Sequence, residues 1–210
     1  MKDSTRIKKI LHTLTSLFPD VETQLVHKTP FQLLISTILS AQCTDRQVNS
    51  VTPMLFKKYS SPSKLAKAKL NEIERIIYST GFYKNKAKHL KNCCRELLEK
   101  YDGNVPGSLS ELVKLPGVGR KTANVVLGAS FNIPAMVVDT HVARISKRLD
   151  LTNHTDPVKI EFDLEKTIPK KEWNDFSLRL IYFGRAICTA RKPICPKCPL
   201  NDICRQVKHR

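Results

Sequence analysis

The chain has 210 residues, with 36 Lys and Arg against 19 Asp and Glu, a formal net charge of +17 and a pI near 9.7. That length holds one sizeable core or two small ones. No stretch reaches the roughly 20 apolar residues of a membrane span, and the start, MKDSTRIKKIL, lacks the apolar run of an export signal, so a soluble chain is expected. The cationic excess points to a polyanion. Nucleic acid fits better than a membrane surface, because no basic helix with an exposed aromatic face is legible.

Apolar residues recur at helical spacing from the beginning, at Ile7, Ile10, Leu11, Leu14, Leu17 and Phe18, and alternating runs of strand type are scarce. An all-α fold is expected. Pro19, Pro30, Pro53, Pro62, Pro106, Pro116, Pro134, Pro157 and Pro169 should mark breaks between helices of ordinary length. Gln42 and Cys43 lie in LSAQCTD and Phe82 in STGFYKNKA, while the adjacent Cys93 and Cys94 in KHLKNCCRELLEK read as helix packing.

The segment from Leu109 to Phe131, LSELVKLPGVGRKTANVVLGASF, reads as a helix, a tight Gly-Val-Gly turn and a second helix. Pro116 cannot continue the first helix. Gly117 and Gly119 are expected to supply positive φ values and a bare backbone, so that the N–H groups of Gly117, Val118 and Gly119 face an anion at a helix start. Such a site grips a phosphate without reading a base. Leu115 and Val118 should pack the two helices together. Arg120 and Lys121 follow directly, and on composition alone Lys121 is a solvated helix lysine.

Asp139, in VVDTHVARI, suits the N-cap of a helix holding Val142, Ile145 and Leu149, and His141 either lines a pocket or fixes the loop. Asp156 and Pro157 read as the cap and first residue of a helix through Val158, Phe162 and Leu164. The chain then reaches CTARKPICPKCPLNDIC, where Cys188, Cys195, Cys198 and Cys204 are separated by six, two and five residues. Four thiolates so close together form a closed ligand set for an iron–sulfur cluster or a structural zinc. Without an export signal, disulfides are disfavoured. The spacing differs from the paired Cys-x-x-Cys knuckles of zinc ribbons. Pro193, Pro196 and Pro199 resist helix, so a loop around a metal centre is expected, made basic by Arg191, Lys192 and Lys197.

LSAQCTD, LPGVGRKTANVVL, VDTHVARISKRL and the four cysteines together resemble the endonuclease III family of the helix-hairpin-helix superfamily, bifunctional DNA glycosylases and abasic-site lyases, over nearly the whole chain. The resemblance implies a two-lobed all-α fold. A six-helix barrel would span residues 23–133 and include the helix-hairpin-helix at 109–128; residues 1–22 with 134–210 would form a cluster lobe, with Lys121 and Asp139 facing each other across the cleft between them. It further implies that Lys121 is the nucleophile, Asp139 its partner, and Cys188, Cys195, Cys198 and Cys204 the ligands of a [4Fe-4S] cluster. Gln42 and Phe82 take the positions of residues that wedge into the duplex, although Phe82 replaces a leucine, Cys43 replaces a common alanine, and Phe82 otherwise suits a core aromatic. Gly117, Val118, Gly119, Arg120, Arg191, Lys192 and Lys197 are the expected contacts to the DNA backbone. The implied activity is excision of oxidised pyrimidines from damaged duplex DNA followed by β-elimination, by a monomer in the cytoplasm associated with the nucleoid. Two rivals are a monofunctional mismatch glycosylase, whose members generally lack the lysine, and a non-catalytic DNA-binding module, which has no use for Lys121 and Asp139 together.

Overall fold

The structure, a computed structural model, describes residues 3–208, so the outermost ends of the expected lobes, 1 and 210, lie outside the described residues. Among the described residues there is no strand. The helices in chain order are α1 (Asp3–Leu17), α2 (Pro30–Leu39), α3 (Asp45–Lys58), α4 (Pro62–Lys67), α5 (Leu70–Ile77), α6 (Tyr83–Tyr101), α7 (Leu109–Leu112), α8 (Arg120–Phe131), α9 (Thr140–Arg148), α10 (Pro157–Thr167), α11 (Trp173–Ala186) and α12 (Arg205–Lys208). They fall into two compact units, Thr23–Ile133, and Pro134–Arg210 together with Met1–Glu22. Among the described residues no helix is long and apolar enough to cross a membrane.

Local chemistry sets most helix starts. The hydroxyls of Thr29 and Thr44 each accept from a backbone N–H at 3.2 Å, and Ser61 and Ser108 cap α4 and α7 in the same way. Pro30, Pro62 and Pro157 stand in the first turn, where a missing N–H costs nothing. Pro53 departs from the expected pattern of breaks, because it lies inside α3. It forfeits the bond to the Asn49 carbonyl. The helix continues nonetheless, since Val48, Val51, Thr52 and Leu55 are buried on both sides of it.

Within Thr23–Ile133, every residue of α2 from Leu33 to Leu39 is buried, the polar Ser36 and Thr37 included. It packs against α3, α6 and α8. In the second unit the core joins Ile10 and Leu14 of α1 to Val142 and Ile145 of α9, Ile160 and Leu164 of α10, and Phe176, Leu180 and Phe183 of α11. Arg179 of α11 ties down the chain leaving α1. Its buried guanidinium donates to the Phe18 and Pro19 carbonyls at 3.1 and 3.3 Å and pairs with Asp175 at 3.0 Å.

Candidate functional site

The turn before α8 is built for exposure of its backbone. Leu115 and Val118 are buried and anchor it, while Gly117 and Gly119 are exposed. Gly117 has φ 80, and a Cβ there would stand 2.8 Å from His89 Cβ and 3.3 Å from Ile38 Cγ2, so it meets both a conformational and a steric demand for glycine. Gly119 corrects the expectation of positive φ. Its φ is −88 and ψ 173, because it occupies the N-cap of α8, a position that takes extended backbone. A Cβ on it would meet nothing within 4 Å. Glycine at 119 therefore leaves open space over a helix start that no side chain caps. Lys121 is exposed in the first turn, next to Arg120. The preceding helix α7 is a single turn ending at Leu112, four residues before Pro116.

Gln42 and Phe82 lie in the same unit as this turn. Both are exposed and both hold the left-handed conformation, with φ 53 and φ 50, which non-glycine residues rarely adopt. Phe82 is 64% exposed, so it is not a core aromatic. Neither Cys93 nor Cys94 is accessible, and burial pushes the Cys93 thiol up to about 12 and raises Cys94 as well.

Asp139 is the N-cap of α9, its Oδ1 accepting from the His141 and Val142 N–H groups at 2.8 Å each. His141 is fixed from the far side. Gly184 of α11 approaches so closely that a Cβ there would stand 2.8 Å from His141 Nδ1, and Arg144 Nη2 lies 3.2 Å from the same nitrogen. Burial lowers the His141 pKa below its ordinary value; Asp139 opposes this and Arg144 and Arg185 reinforce it. A neutral imidazole with Nδ1 accepting from Arg144 satisfies this geometry.

Two arginines one turn apart on α9 reach the cysteine segment, and sequence reasoning missed both. Arg144 donates to the carbonyls of Gly184 at 3.3 Å and Cys188 at 2.9 Å. Arg148 donates to Cys188 Sγ at 3.1 Å, to Thr189 O at 2.9 Å and to Ala190 O at 3.1 Å. The segment itself is two 3-10 turns, Cys195–Lys197 and Asn201–Ile203, anchored by buried Leu200 and Ile203. Burial raises the Cys198 pKa, and Cys188, Cys204 and Cys195 add to it, so all four thiols are neighbours. Among the described residues no three metal-binding side chains close on a single ion. Four neighbouring thiol donors are the ligand type that an iron–sulfur cluster takes, so the donor set fits one. Arg191, Lys192 and Lys197 are exposed along this segment.

Comparisons with known proteins agree with this arrangement. Residues 35–170 match the HhH-GPD superfamily of base excision DNA repair proteins, and residues 188–204 match the iron–sulfur binding domain of endonuclease III. Endonuclease III of Synechocystis sp. is 53% identical over 200 residues, covering 95% of this chain and 91% of that protein. Two solved structures are each 47% identical and cover 100% of this chain. One is a non-covalent endonuclease III–DNA complex, with a TM-score of 0.94 and 98% of that chain covered. The other is a trapped endonuclease III–DNA covalent intermediate, with a TM-score of 0.95 and 99% covered.

Proposed function

The chain belongs to the endonuclease III family of base-excision DNA glycosylases with abasic-site lyase activity, and on that premise we propose which of its residues carry the two reactions. The substrate is an oxidised pyrimidine in duplex DNA. Lys121 is the nucleophile: its neutral amine bonds to the sugar C1′, the glycosidic bond breaks, and the base leaves with the electron pair and a proton. Opening of the sugar ring then gives an iminium between Nζ and C1′, an intermediate that a carboxylate or water cannot form. The iminium acidifies the C2′ proton, and its loss breaks the C3′–O bond. Asp139 stabilises the cationic sugar as the base departs and assists the proton transfers.

The reading is carried by the placement of an exposed Lys121 in the first turn of α8, directly behind a turn stripped of side chains. The N–H groups of Gly117 and Gly119, with Arg120, hold a phosphate beside the reacting sugar, whereas the Val118 N–H, expected to join them, donates within the turn to the Leu115 carbonyl at 3.0 Å. Gln42 and Phe82 fill the space left by the extruded nucleotide. The cofactor is a [4Fe-4S] cluster. Its ligands are Cys188, Cys195, Cys198 and Cys204; when bound it supplies a crosslink that fixes Arg191, Lys192 and Lys197 toward the DNA backbone. Residues 23–133 correspond to the six-helix barrel and the remainder to the cluster lobe. The enzyme acts as a monomer, in the cytoplasm at the nucleoid.

Borohydride added during reaction with damaged duplex should trap a covalent protein–DNA adduct, and Lys121→Gln should abolish it. A wild-type protein that gives no adduct with any abasic or oxidised substrate overturns the assignment.

A further inference from the structure

Lys86 is 4% exposed, on the stripe of α6 that also buries Leu90, Cys93 and Leu97. Its Nζ donates to the Leu39 carbonyl and to the Thr80 carbonyl, both at 2.8 Å. Both acceptors end helices. Leu39 is the last residue of α2, and Thr80 closes the single 3-10 turn Tyr78–Thr80, so each presents the negative end of its helix to the ammonium. Burial pushes the Lys86 pKa down, and Cys43 opposes that.

The loops that leave the two acceptors give the contact its meaning. Ser40, Ala41 and Gln42 come after Leu39; Gly81 and Phe82 come after Thr80. Gln42 and Phe82 are the exposed left-handed residues of the two loops. A methionine would fill the same volume without the cost of burying a charge, so packing alone does not account for an ammonium here. The ammonium adds a direct tie between the roots of two loops distant in sequence. We propose that Lys86 is a positioning residue that sets the separation of these loops, so that Gln42 and Phe82 enter the duplex as a pre-arranged pair. The proposal rests on the reading of those two residues as duplex wedges.

The test compares a lesion paired in duplex DNA with an abasic site in single-stranded DNA, where no wedge is needed, under single-turnover conditions. Lys86→Met should slow duplex excision by roughly 10- to 100-fold, the scale of a small misplacement of a positioning group. Cleavage and borohydride trapping at the single-stranded site should stay within about twofold, which also reports that the variant is folded. Lys86→Arg should restore most of the duplex rate, and adding Phe82→Ala to Lys86→Met should cost less than the sum of the two. Should Lys86→Met fail to fold, Lys86→Gln, too short to span both carbonyls, should give the same selectivity. Equal loss on both substrates, or loss on neither, overturns the proposal. If Gln42→Ala and Phe82→Ala themselves spare the duplex reaction, the wedge reading falls and the proposal with it. A normal wedge effect beside a silent Lys86→Met overturns the proposal alone.

Discussion

A methyl group on Gly117 would stand 2.8 Å from His89 Cβ in a backbone of φ 80, whereas one on Gly119 would meet open space at φ −88. The two glycines of one turn should therefore respond differently to the same substitution. Gly117→Ala is expected to lose about 1–2 kcal/mol from the left-handed backbone before any overlap is counted, and to lower Tm by several degrees. Gly119→Ala should barely disturb folding, at about 0.5–1 kcal/mol for a poorer N-cap, yet weaken binding of an abasic-site duplex measured by fluorescence anisotropy. Unchanged affinity in Gly119→Ala would mean that this turn is not the phosphate grip. The difference between the glycines is not legible in the string LPGVGR. Both adjoin Val118 in the turn, and only the helix start at Arg120 assigns extended backbone to one of them.

The helix α9 does three jobs along its length, and its residues predict separate outcomes. At its start, Asp139 is legible as a cap because the chemistry is local. In its first turn, His141 is held neutral, with a pKa below the ordinary value of about 6.5. The unfolded chain thus takes up this proton first as pH falls. The contribution to stability is complete above the unfolded value and is lost as pH drops toward the folded one. Tm should accordingly fall between about pH 7.5 and 5, less steeply in His141→Gln; identical pH profiles would exclude His141 as a source. Toward its end, Arg148 holds Cys188 Sγ and two carbonyls. Arg148→Met removes those three hydrogen bonds, from acceptors that are part-buried at Cys188 and Thr189 and exposed at Ala190. The visible absorbance of the cluster should decay faster in the presence of an iron chelator, and the reduction potential should move downward, since N–H bonds to the sulfurs favour the more negative reduced core. A decay rate equal to wild type would sink this role. Arg148 and Lys86 escaped sequence reasoning because their acceptors are backbone carbonyls and a thiol, which no side-chain pattern announces, and all but the Thr80 carbonyl come from segments remote in the chain. For Lys86 a hint existed: its spacing from Leu90, Cys93 and Leu97 places it on a buried stripe, where a lysine must have a reason.

At the scale of the molecule, the all-α class is legible because helical periodicity and caps agree along the chain. Pro53 misleads, since tertiary burial on both sides outweighs one lost hydrogen bond. The formal charge of +17 predicts steep salt dependence of DNA binding. Lys197→Ala should reduce the slope of log affinity against log salt by about 0.9, the value of one phosphate contact, and leave the trapping yield at saturating DNA unchanged. An unaltered slope would remove Lys197 from the interface. The path of the chain through its two units bears on how the protein is made. The unit Thr23–Ile133 is continuous, while its companion combines Met1–Glu22 with Pro134–Arg210. During synthesis the first can close on itself as soon as it leaves the ribosome. Helix α1, made before α11, must wait for it to pack against and for Arg179 to fasten its end. Cys188 to Cys204 emerge after α11, so on the proposed ligand set iron binds only once that helix has been made. A ribosome stalled before α11 would leave α1 with its apolar face exposed, a target for chaperones and proteases.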